Sequence, residues 1–396
     1  MRNFLFICVA IFFVEGLMSC ANTTDSADNA KTDDTAKQAE STTDPSQDAQ
    51  PPMDSHQGYP GSDEEWVYVP MENLILDGEN HFANMRQLTF EGENAEAYFS
   101  ADGQKLILQR HIEKGGCDQI YIMNIETGDM QMVSTGGGVT TCSYFQYPND
   151  DHIIYASTHL ASADCPPKAD MARGYVWTLH PEFDIFKALP DGSNIERLTD
   201  TWGYDAEDTF AHNGTSIVYT SMASGDLEIW TMDPDGKNKK QLTDKLGYDG
   251  GPFFSWDSTK ICWRAYYPET EAEVAEYNEL LKANAIKPMA LQLWYMNADG
   301  TNKIQVTDNG AANFCPFFQP GDERIIYASN YMSPSPMDFN LWIIDVDGSN
   351  AEQLTTYDGF DAFPMFSPDG KRLVFGSNRN QANPGDTNIF ICDWIE

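Results

Sequence analysis

After residue 85, short runs of alternating apolar and polar residues are broken every few positions by Gly, Asp, Asn or Pro, a texture of strands joined by tight turns. Within it a three-part pattern returns six times. The first mark is an apolar residue followed by Thr or Ser: Leu88-Thr89, Val133-Ser134, Leu198-Thr199, Leu242-Thr243, Val306-Thr307 and Leu354-Thr355. Ten or eleven residues later stands a phenylalanine (Phe99, Phe145, Phe210, Phe254, Phe318, Phe366), and nine or ten beyond that a large apolar residue ends the next run (Leu108, Tyr155, Tyr219, Trp263, Tyr327, Phe375). The third mark is polar-aliphatic-aromatic: Gln119-Ile120-Tyr121, Asp184-Ile185-Phe186, Glu228-Ile229-Trp230, Gln292-Leu293-Trp294, Asn340-Leu341-Trp342 and Asn388-Ile389-Phe390.

Asp-Gly pairs fall between these runs, at Asp102-Gly103 and Asp369-Gly370 and again at Asp191-Gly192, Asp235-Gly236, Asp299-Gly300 and Asp347-Gly348. Such pairs between strand-like runs mark hairpins, because Gly accepts positive φ without a steric penalty. Each unit is therefore a four-stranded antiparallel meander. Residues 85–396 divide into six units of 52 residues, the length of a propeller blade. The expectation is an all-β, six-bladed β-propeller spanning 63–396. The sixth unit stops after its third strand while Met85–Phe90 carries an unmatched first mark, so the N-terminal strand is expected to complete the last blade and remove the open edges.

Segments such as FPMFSPDGKRLVFGSN (363–378), EIWTMDPDGKNKKQLTD (228–244) and LWIIDVDGSNAEQLT (341–355) resemble the repeats of the TolB-like propeller family. The resemblance covers nearly all of the expected fold. It implies periplasmic or extracellular binding roles, often in protein complexes, and extends to propellers attached to prolyl-oligopeptidase-type and tricorn-type peptidases. A shared fold does not fix a shared function.

The spacing also locates two exceptions. From the second-strand mark to the third-strand aromatic the units count 13, 31, 11, 31, 15 and 15 residues. Units two and four thus carry insertions. In the fourth, Thr270 and Glu273 form a capping box ahead of Val274, Tyr277 and Leu281 at helical spacing, which predicts a helix over 271–283. Both insertions should rise on the face where blades connect, because in a meander the second-to-third and blade-to-blade links emerge together.

The first 62 residues belong to none of this. Arg2 precedes an apolar run from Phe4 to Val14, too short to cross a bilayer but suited to a secretory signal. Leu17-Met18-Ser19-Cys20 then resembles a bacterial lipoprotein cleavage box, which makes 1–19 a signal peptide and Cys20 the lipidation candidate; a plain signal peptide and an uncleaved anchor are the alternatives. Residues 20–62 are rich in Thr, Ser, Asp, Ala, Gln and Pro, cannot offset their ordering entropy by burial, and form a disordered acidic tether.

Composition then narrows the function. The chain has 24 Lys and Arg against 61 Asp and Glu, a net charge of −37, which disfavours nucleic acid and anionic membrane surfaces. A partner should be a neutral or basic protein or peptide, membrane contact should run only through the lipid anchor, and the chain should be monomeric. Five residues before each core phenylalanine stand Asn94, Thr140, Asp205, Asp249, Asn313 and Asp361, all hydrogen-bond acceptors leading into the channel-lining strand. They form either a polar ring able to hold a cation or basic group, or turn residues that satisfy backbone donors. With Glu207 and Asp208 beside Asp205, the expected binding rim is Asp205, Glu207, Asp208, Asp249, Asn313 and Asp361.

Of the eight cysteines, Cys117, Cys142 and Cys165 should share one face, and an exported chain permits a disulfide among them, Cys142–Cys165 first. Cys262, Cys315 and Cys392 read as small buried residues. His159, His180 and Cys165 lack the fourth ligand and spacing of a zinc site, and the Asp-Gly turns lack the calcium-loop pattern. No G-x-S-x-G occurs, and the seven histidines lie at or before His212, so none reaches the later blades. The expectation is a non-catalytic scaffold in the bacterial cell envelope with no cofactor. A propeller enzyme acting on a glycan or peptide, and a recognition subunit of a separate peptidase or transport complex, are the alternatives.

Overall fold

The computed structural model describes residues 74–113, 116–167 and 175–396; the signal peptide, Cys20 and the tether lie outside these. Six four-stranded antiparallel sheets succeed one another along the chain. Blade one runs through Glu93–Phe99, Lys105–His111, Gln119–Asn124 and Met130–Met132, and blades two to five begin at Thr140–Phe145, Asp205–Phe210, Tyr248–Phe254 and Asn313–Phe318. Blade six takes Asp361–Phe366, Arg372–Ser377 and Asn388–Trp394 from the C-terminus and its outer strand from Phe82–Gln87, with Phe82 opposite Trp394 and Gln87 opposite Phe390. The expected closure is what forms.

The sequence marks have direct physical causes. In every blade the Thr or Ser hydroxyl of the outer-strand pair accepts the backbone N–H of the third-strand aliphatic residue. These bonds are Thr89 with Ile389 (2.9 Å), Ser134 with Ile120 (2.9 Å), Thr199 with Ile185 (2.9 Å), Thr243 with Ile229 (2.8 Å), Thr307 with Leu293 (2.9 Å) and Thr355 with Leu341 (2.8 Å). The mark is thus a register pin that satisfies a buried donor where the short outer strand ends. The six phenylalanines are buried to 3% exposure or less. Each contributes roughly 1.5–3 kcal/mol by burial between blades.

The fourth-blade helix occupies Glu271–Lys282, one residue shorter than expected, with the Thr270–Glu273 capping box in place. Its Tyr277 hydroxyl lies 2.5 Å from Asp226 Oδ1 and 2.6 Å from the Gly247 carbonyl, which docks the helix on blade three. Beyond the helix, Ala285–Ile286 pairs antiparallel with Trp177–Thr178 of the blade-two insertion. The two long insertions therefore meet above blade three, on one face of the ring.

A disulfide ties the same structure to blade one. It joins Cys165 to Cys117, with Cα atoms 5.5 Å apart, and leaves Cys142 free, which corrects the expected Cys142–Cys165 pair. Cys142 sits on an innermost strand in left-handed conformation, turned to the channel, whereas Cys117 lies in the loop beside the insertion. Linear spacing could place all three on one face but not distinguish inner strand from outer loop.

Candidate functional site

The innermost strand of every blade contains a β-bulge. In each of the six, pairing with the second strand shifts register after two or three residues, and the residue there has positive φ: Glu96 (51°), Cys142 (53°), Glu207 (58°), Gly251 (59°), Cys315 (52°) and Phe363 (55°). Five of these six are not glycine, at a cost of order 1 kcal/mol each, so a repeated structural demand overrides local preference. The bulge turns these side chains toward the axis, where groups from opposite blades meet: Glu96 feels the charges of Glu207 and Arg264, and Cys315 feels those of Arg264 and Glu96.

Two residues deeper along the same strands, aromatic rings fill the axis. Tyr98 and Phe253, from opposed blades, have centroids 5.4 Å apart, Tyr98 and Tyr144 5.6 Å, and Phe253 and Phe317 5.4 Å. This plug is the floor of a cup. Because the inner strands run from the blade-connecting face inward, the cup opens beneath the paired insertions.

One cation sits in it. Arg264, opposite Gly250 on the second strand of blade four, pairs with Glu207. Its guanidinium occupies the space where any Cβ at Gly251 would collide, which is why blade four alone has glycine at the bulge. Glu207 also accepts from Thr220 Oγ1 (2.7 Å) and the Gly251 N–H (2.8 Å). The guanidinium lies 5.2 Å from the Trp177 ring of the blade-two insertion and 5.6 Å from the Tyr248 ring, within cation–π range.

Two further carboxylates form no ion pair among the described residues, although Cys142 and the more distant Arg264 partly offset the burial of Glu96. Glu96 is half-buried, and burial followed by the charge of Glu207 pushes it up to about 7. Asp208 is fully buried, no other described residue hydrogen-bonds its carboxyl oxygens, and burial raises its pKa well above the ordinary range, with Glu96 and Glu207 adding to the shift. The thiols of Cys142 and Cys315 are raised by burial as well, which keeps them protonated and poor nucleophiles near neutral pH.

The expected rim residues divide unequally. Glu207 reaches the cup and Asp208 lies beside it. The other four are buried and hydrogen-bonded among neighbouring strands. Asp205 accepts from Ser221; Asp249 from Trp263 Nε1 (2.5 Å) and Tyr267 Oη (2.6 Å); Asn313 from Ser329 (2.7 Å); and Asp361 from Arg379 (2.7 Å). The residues that sequence reasoning passed over are Glu96, Cys142, Cys315, Arg264 and Trp177. A signal for three of them was present: the bulge always falls three residues before the core phenylalanine, two beyond the position singled out.

The insertion face carries exposed apolar side chains. Of twelve exposed large apolar side chains among the described residues, seven (Ile112, Leu160, Tyr175, Trp202, Leu246, Met289 and Met332) stand on loops of the insertion face, Trp202 and Met332 at 76% and 78% exposure. On the opposite face, a groove of about 520 Å³ has charges that satisfy one another: Arg324 pairs with Asp345 at 3.2 Å, and Asp322 accepts the Trp256 and Asp257 N–H groups. Among the described residues no cluster of three or more His, Cys, Asp or Glu has metal-binding geometry, and no helix is long and apolar enough to cross a membrane.

No family model matches the chain, and no curated protein matches it. Solved structures do. A protein described as TolB from Agrobacterium tumefaciens is similar at 16% identity and a TM-score of 0.50, over 77% of this chain and 91% of that one. TolB from Acinetobacter baumannii is similar at 16% identity and a TM-score of 0.50, over 68% of this chain and 55% of that one. Kuenenia stuttgartiensis hydrazine synthase is similar at 14% identity and a TM-score of 0.51, over 80% of this chain and 44% of that one. At such identities the likeness is one of fold.

Proposed function

From a TolB-like six-bladed propeller with both long insertions gathered over one mouth of its channel, we propose a lipid-anchored envelope protein that acts as a non-catalytic scaffold for binding another protein. The observation that carries this reading is the pairing of Ala285–Ile286 with Trp177–Thr178. Two insertions from non-adjacent blades pair with each other, one fastened to blade three by Tyr277 and the other joined to blade one by Cys117–Cys165, in a ring whose other second-to-third connections are short. Loops held by a rigid scaffold are the usual place for recognition. The apolar side chains on that same face supply the area a protein partner needs.

The raised thiols favour binding over turnover. A folded domain near −31 favours a basic or neutral partner. Replacing 158–180 and 266–289 by tight turns should abolish capture of an envelope partner from detergent extracts while the ring stays folded by circular dichroism. Undiminished capture at the same salt would place the working surface elsewhere.

A further inference from the structure

We propose that the cup receives a single lysine or arginine side chain, presented by an apolar-flanked segment of the partner protein; this rests on the insertion face being the working surface. Four observations define the site. Three carboxylates, Glu96, Glu207 and Asp208, lie within one another's field, and the one guanidinium among them, Arg264, is already paired with Glu207. Glu96 stays partly open to solvent and, among the described residues, forms no ion pair, Arg264 acting on it only at a distance. Asp208 is fully buried and no other described residue hydrogen-bonds its carboxyl oxygens, an arrangement that a second cation or its donors would relieve.

The fourth observation is the surroundings. Tyr204 and Tyr248 stand with the Arg264–Glu207 pair, Trp177 lies over Arg264, and these rings offer apolar walls to a methylene stem above the aromatic floor of Tyr98 and Phe253. Trp202, Met289 and Met332 on the surrounding loops then meet the apolar neighbours of the inserted residue. An anion finds no free donor of opposite charge here, because Arg264 is engaged. The acidic tether of this chain, with eight acids and two lysines between Ala21 and Pro60, is the poorer occupant on charge grounds.

A cation that settles beside Glu96 and Asp208 favours their ionised forms, so binding should release protons near neutral pH and tighten as pH rises through 7. The test is calorimetric titration of the full-length protein with acetyl-Leu-Lys-Leu-amide and with its norleucine counterpart, the same shape without charge, in buffers of different ionisation enthalpy. The lysine peptide should bind at least about tenfold more tightly, a difference of about 1.4 kcal/mol, and release protons. Glu96→Gln, a change at a half-buried position, should remove most of that preference with no loss of melting temperature.

Equal affinity for the two peptides, or a lysine preference untouched by Glu96→Gln, overturns the proposal. So does tighter lysine-peptide binding on deleting residues 21–62, which would put the tether in the cup. Loss of lysine preference with partner capture intact sinks this inference alone, whereas capture that survives removal of both insertions sinks the reading beneath it.

Discussion

Glu228 and Asp249 meet at the seam between blades three and four, and Glu228→Gln should make the protein more stable above neutral pH. Glu228 opens the third strand of blade three at 3% exposure, and Asp249 lies fully buried on the inner strand of blade four. Asp249 Oδ1 takes both the Trp263 and Tyr267 donors, which leaves Asp249 Oδ2 and Glu228 Oε2 without partners other than each other's proton. Burial first, with Asp226 adding negative charge, pushes Glu228 up to about 8 and Asp249 to about 7.

The sign follows from linkage: the folded state holds a proton that the unfolded chain, titrating at 4.5 and 3.8, has lost. This contribution to stability is whole below the unfolded values and declines as pH rises toward 8. The proton on Glu228, the one that Glu228→Gln removes from the balance, by itself gives a slope of about −1.4 kcal/mol per pH unit, hence a loss of roughly 2–3 kcal/mol between pH 5.5 and 7.5. Glutamine cannot ionise, and its amide can donate to Asp249 Oδ2. Urea unfolding at pH 5.5, 6.5, 7.5 and 8.5 should give curves for wild type and Glu228→Gln that converge at the acid end and separate by about 2 kcal/mol at pH 8. Parallel curves would refute the shared proton.

Deleting residues 1–62 should leave the melting temperature nearly unchanged and deleting 1–92 should collapse it, because the second removes the strand Phe82–Gln87 that closes the ring; equal melting temperatures would rule out the interlock. Arg379 is 4% exposed at its side chain and joins Glu79 (3.0 Å) to Asp361 (2.7 Å), so Arg379→Met strands two buried carboxylates and should cost about 3–5 kcal/mol in chemical denaturation; a cost below 1 kcal/mol would show them solvated. Cys20→Ser should move the protein from the membrane to the soluble fraction, and a wild type already soluble with another N-terminus would exclude the anchor.

The ring itself was legible in the sequence because its causes are local and repeat. A Thr hydroxyl that pins a third-strand N–H, a phenylalanine between blades and Asp-Gly at a hairpin each act over a few residues, and six copies lift them above chance. The capping box placed the helix to within a residue for the same reason. The cup was not legible. Glu96, Glu207 and Arg264 are separated by up to 168 positions and converge only because six bulges turn toward a common axis, so their partners depend on closure and not on neighbours. Likewise Cys165 chose Cys117 over Cys142 because Cys142 faces the channel from an inner strand. Sequence determined which residues repeat; the closed ring decided which of them face one another, since burial and charge at the axis are properties of the assembled blades.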